Sequence, residues 1–69
     1  MPHRNTIQEY LNDYLKSYDT MIDRSDDFSM HIKFKNSNDL FKFQAQAESV
    51  QWVITIVEKH NQLSCYLKK

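Results

Sequence analysis

The sequence predicts an α+β domain in the order α-β-β-α, a two-stranded antiparallel hairpin with two helices packed on one of its faces. Three observations carry that expectation. Apolar residues occupy every second position in two stretches, Phe28 to Phe34 and Phe41 to Ala47, around a polar turn, which is the period of strands. The segments before and after them space their apolar residues at the 3.6-residue period of a helix. The 69 residues are the length of one domain, so 1–69 is read as a single small unit.

The first helix has a start signal. Thr6 followed by Glu9 can form a capping box, in which each side chain satisfies the other's free backbone N–H. From there Ile7, Tyr10, Leu11, Tyr14, Leu15, Tyr18, Met21 and Ile22 fill one apolar arc roughly 140° wide on a helical wheel, so the helix is expected to run to the Ser and Asp residues at 24–27. The hairpin then places Phe28, Met30, Ile32, Phe34, Phe41, Phe43, Ala45 and Ala47 on its inner face. Its outer face carries His31, Lys33, Lys35 and Lys42, with no acid. Asn36 to Asp39 closes it, because asparagine must take any left-handed turn position in a chain without glycine.

In the last segment period and propensity disagree. Val50, Trp52, Val53, Ile54, Ile56 and Val57 suit a strand, whereas Gln51, Thr55, Glu58, Lys59 and Gln62 gather in one polar arc of a helix. The arc decides for a helix capped by Ser49, and the alternative is an N-terminal helix followed by a β-meander through Tyr66. No internal repeat or linker is expected.

Composition narrows the function. Nine bases and nine acids cancel, which speaks against a generic polyanion binder, yet residues 1–27 carry net −3 and residues 28–69 net +3. The single cysteine, Cys65, forms no intrachain disulfide, and a chain this short needs a partner or a second copy to supplement a small core. No apolar run reaches the length of a signal-peptide core or a membrane span, which points to a cytoplasmic protein without membrane contact. The residue usage is that of an AT-rich genome, as in some bacteria and phages. His31, His60 and Cys65 lack the spacing of metal ligands, and Asp23, Asp26 and Asp27 lack the glycine and distal glutamate of a calcium loop. No catalytic motif occurs, so no enzyme activity, cofactor or small-molecule substrate is expected.

The order helix, antiparallel strands, helix resembles a double-stranded RNA-binding domain, which would imply RNA as ligand. That family has three strands and a lysine-rich start to its last helix, and Ala47 to Gln51 holds no lysine. Leu40 to His60 is similar to the final strand and helix of pleckstrin homology domains over less than a third of the chain, too short for that family's seven-stranded sheet. Neither resemblance is specific enough to assign function.

The expected role is a small non-enzymatic interaction module or modulator of a larger protein, acting as a homodimer or through sheet edges and a helix face. Trp52, Ile56 and Leu63 are the expected contacts on the helix flank, with His31, Lys33, Lys35 and Lys42 on the strand face. Nucleic-acid binding by that basic face is the alternative.

Overall fold

The computed structural model describes residues 6–68. The elements are α1 (Ile7–Leu15), β1 (Thr20–Ser25), β2 (Ser29–Phe34), α2 (Ser37–Glu48), β3 (Val53–Lys59) and β4 (Gln62–Leu67). The class is α+β, and the order is α-β-β-α-β-β, not the expected α-β-β-α. The four strands form one antiparallel sheet in the order β1-β2-β4-β3, and both helices lie on the same face.

Three assignments change, each for a local reason. The first helix starts as expected, with Glu9 N–H donating to Thr6 Oγ1 at 3.3 Å and Thr6 N–H to Glu9 Oε1 at 3.2 Å, but it stops at Leu15. The residues beyond it, Ser17 to Asp23, are mostly weak helix formers, and Thr20–Ser25 instead pairs along β2. Phe28 to Phe34 therefore supplies a central strand, not a sheet edge.

The expected second strand is helix α2. Residues 37–49 contain no β-branched side chain, and Asn36 caps the helix by accepting from Asp39 N–H at 2.9 Å. Leu40, Phe43 and Ala47 face the sheet, while Phe41 and Ala45 point outward.

The expected last helix is the β3–β4 hairpin. Ser49 ends α2 and does not begin a new helix; its N–H donates to Ala45 O at 3.2 Å. The left-handed residue falls at Asn61, φ 51°, in the β3–β4 turn and not in the 36–39 segment.

The core forms between the helix layer and one face of the sheet. Ile7 and Leu11 of α1 and Leu40, Phe43 and Ala47 of α2 cover Met30, Ile32 and Phe34 of β2 and Leu63 and Cys65 of β4. Tyr18 meets Phe34 and Phe43 edge-on, with centroids 6.4 and 5.9 Å away, and its hydroxyl donates to Gln46 Oε1 at 3.0 Å. These tilted ring contacts are the favourable geometry for aromatic quadrupoles.

The fold also contains a repeat. Adding 33 to each member of the three β1–β2 pairs before the β1 bulge gives a β3–β4 pair: Thr20↔Phe34 becomes Val53↔Leu67, Met21↔Lys33 becomes Ile54↔Tyr66, and Ile22↔Ile32 becomes Thr55↔Cys65. Across the centre, Phe34 N–H donates to Asn61 O and Leu67 N–H to Phe28 O, both at 2.7 Å, and these two bonds exchange under the same shift. The chain is two αββ units related by a pseudo-two-fold axis through the facing pair His31 and Ser64. Matched inner positions are both apolar (Met30 and Leu63, Ile32 and Cys65, Phe34 and Leu67) but never identical, so the repeat lies in pattern and not in letters.

Candidate interaction surface

The face of the sheet turned away from the helices divides along its length. On the β1–β2 side it is charged, with Lys33 Nζ 3.7 Å from Asp23 Oδ1 and Arg24 beside them. On the β3–β4 side it carries Ile54, Ile56 and Tyr66, all exposed. Of the nine exposed large apolar residues among those described, six lie at this margin: these three with Trp52, Val57 and, on the neighbouring helix, Phe41. Apolar exposure concentrated in one place marks an interaction surface, whereas scattered exposure does not.

Between the two zones sits a polar relay. Ser64 Oγ lies 3.2 Å from His31 Nε2, and His31 Nδ1 lies 3.4 Å from Glu58 Oε2. With Nδ1–H directed at the carboxylate, Nε2 accepts the Ser64 proton, the order of groups in a serine hydrolase. The surroundings do not serve that chemistry. Ser64 is fully buried, and the amides around it are engaged in the β2 and β3 ladders, leaving none to stabilise an oxyanion. As arranged, the relay satisfies polar groups within an apolar strip.

The structure separates the residues singled out from the sequence. Trp52, 44 % exposed, precedes β3, and Ile56, 48 % exposed, lies on its outer face. Leu63 is fully buried under the helices and cannot meet a partner. His31 is half-buried in the relay, and Lys33 is paired with Asp23. Lys35 follows β2, with its Nζ 3.0 Å from Asp19 Oδ2, and Lys42 is on α2, across the sheet from the others. The expected basic strand face is therefore not assembled. Sequence reading missed Tyr66 of β4 together with Ile54, Thr55 and Val57 of β3, and the signal for the three on β3 was the unbroken β-branched run Val53 to Val57.

That run forms an open edge. Lys68 N–H donates to Trp52 O at 2.6 Å, and antiparallel alternation then turns the N–H and C=O of Thr55 and Val57 away from β4. Thr55 Oγ1, on the helix side, is buried without a hydrogen-bond partner among the described residues. The bulge in β3 comes late, between Val57 and Lys59, so the edge before it is regular.

Burial pushes the Cys65 thiol up to about 12, so it stays protonated and unreactive. No group of three His, Cys, Asp or Glu among the described residues could hold a metal ion, and no described helix is long and apolar enough to cross a membrane. Comparison with known protein families, curated proteins and solved structures finds no match to this chain.

Proposed function

We propose that this protein is a small non-catalytic interaction module that binds an extended protein segment along β3, adding a strand to its sheet. The observation that carries this reading is the regular edge from Val53 to Val57, whose backbone groups at Thr55 and Val57 face outward between exposed apolar side chains. Strand addition draws affinity from main-chain hydrogen bonds and specificity from alternate side chains, and this edge offers both. Trp52 at its start is the residue type most enriched among binding hot spots. A lone thiol, buried and unpaired, suits the reducing cytoplasm. The nucleic-acid alternative loses support, because Lys33 and Lys35 are paired with aspartates and Lys42 is on the other side of the sheet.

A peptide with the sequence of Trp52 to Lys59, titrated into the labelled protein, tests the edge. It should shift and protect the amides of Thr55 and Val57 while leaving those of Thr20 and Ile22 on the other edge unchanged. An equal response at both edges, or none at β3, would sink the reading.

A further inference from the structure

Resting on the strand-addition reading, we infer that the segment added to β3 is β3 of a second copy, paired antiparallel about a two-fold axis at Thr55. The edge sequence Val53-Ile54-Thr55-Ile56-Val57 reads the same in both directions. A two-fold interface is isologous and must be complementary to itself, and an antiparallel pair of palindromic strands meets that condition residue by residue. Centred on Thr55, Val53 faces Val57 of the second copy, Ile54 faces its Ile56, and the two threonines face each other.

The backbone agrees with this register. Thr55 directs both N–H and C=O outward, so the threonines form a hydrogen-bonded pair that exchanges two bonds. Val57 N–H reaches Val53 C=O of the second copy, and the Val53 N–H that this arrangement leaves over already donates to Val50 O at 3.1 Å. A register centred on Ile56 would set Ile54 against the bulge at Glu58, and one centred on Ile54 would set Gln51 against Val57. Only the Thr55 centre keeps every facing pair matched.

The side chains add two further matches. Thr55 lies at the axis, and rotation about its χ1 would turn the buried, unpartnered hydroxyl toward the same group of the second copy, as in a cross-strand threonine pair. On the helix side Phe41 and Val57 line a groove toward the β3–β4 turn, and pairing sets Val53 of the second copy beside its Val57 wall. On the outer face Ile54, Ile56 and Tyr66 of both copies become one continuous apolar strip across an eight-stranded sheet.

The test combines mass, register and exchange. Sedimentation equilibrium over micromolar to sub-millimolar concentration should show the mass doubling, and Ile56→Asp should return it to that of one chain. Two single variants, Ile54→Cys and Ile56→Cys, should cross-link on mild oxidation when mixed but not when each is alone. Facing residues of that pair are about 4.5 Å apart between Cα atoms, within disulfide range, and the buried Cys65 does not compete. In the wild type, hydrogen exchange at the Thr55 and Val57 amides should slow as concentration rises, a readout that needs no variant. A single-chain mass throughout, exchange independent of concentration, or cross-linking of Ile54→Cys with itself overturns the second copy as occupant. Peptide binding at β3 with a single-chain mass would leave strand addition standing and remove only self-pairing.

Discussion

The two edges of the sheet are counterparts under the internal two-fold, yet they are finished in opposite ways. In β1 the bulge interrupts pairing between Ile22 and Arg24, and the interrupted stretch carries Asp23 and Arg24. In β3 the position matching Asp23 is Ile56, and regular pairing continues through Val57. Charges and bulges are the usual devices that keep an edge strand from pairing with another chain. One scaffold therefore presents a guarded edge and an open one, and a few side chains make the difference.

The largest expected effect strikes the frame common to both edges. Phe43→Ala removes a fully buried ring that packs against Phe34 and Tyr18 of the first unit from a helix of the second. A loss of about 3–5 kcal/mol is typical for such a truncation, and that is a large share of the total for a 69-residue chain stable by roughly 0.05–0.15 kcal/mol per residue. Urea melts followed by circular dichroism, with amide exchange in both hairpins, should show both units failing in one step. Separate melting of the β1–β2 hairpin would mean that the two units are independent.

A smaller effect comes from rewriting the guarded edge. Asp23→Ile gives β1 the side chain that β3 has at the matching position, and the Asp23–Lys33 pair it breaks is half-exposed and worth at most about 1 kcal/mol. The fold should survive, while a second sticky edge should yield species heavier than a dimer in sedimentation. An unchanged mass distribution would show that the bulge alone guards β1.

The smallest effect contrasts the two hairpin turns. Asp26 accepts Phe28 N–H and Ser29 N–H, each at 2.9 Å, and the Ser29 hydroxyl at 3.0 Å. These donors, the Phe28 amide foremost, hold its carboxyl below the usual 3.8. A lowered folded-state value gives stability that is present above the unfolded pKa and lost as pH falls through the lowered one. Asp26→Asn should therefore lower the melting temperature slightly at neutral pH and flatten its decline below about pH 4, where an unperturbed Asp titrates. Amides beside Asn61, the turn residue of the other hairpin, should not respond to the substitution.

The parts legible in the sequence were those with one dominant signal. The Thr6–Glu9 box fixed the start of α1, and the alternation of Met30, Ile32 and Phe34 fixed β2. The stretch Phe41 to Ala47 satisfied both periods, and the absence of β-branched residues, not the alternation, was decisive there. In β3 the alternation was hidden because apolar residues occupy both faces: Val53 and Val57 toward the helices, Ile54 and Ile56 toward solvent. The strand was misread for the same reason that it is a candidate surface, since a face that binds something departs from the pattern of one that meets only water.

The αββ repeat has a further consequence for how the chain is threaded. Ile7 N–H donates to Asp27 O and Leu67 N–H to Phe28 O, so the start of the first helix and the end of the last strand meet at adjacent residues. Within the chain, the same junction from strand to helix is made by the short link between Phe34 and Ser37. The two junctions therefore occupy matching places under the internal two-fold, one held by the covalent chain and the other by hydrogen bonds to the neighbouring residues Asp27 and Phe28.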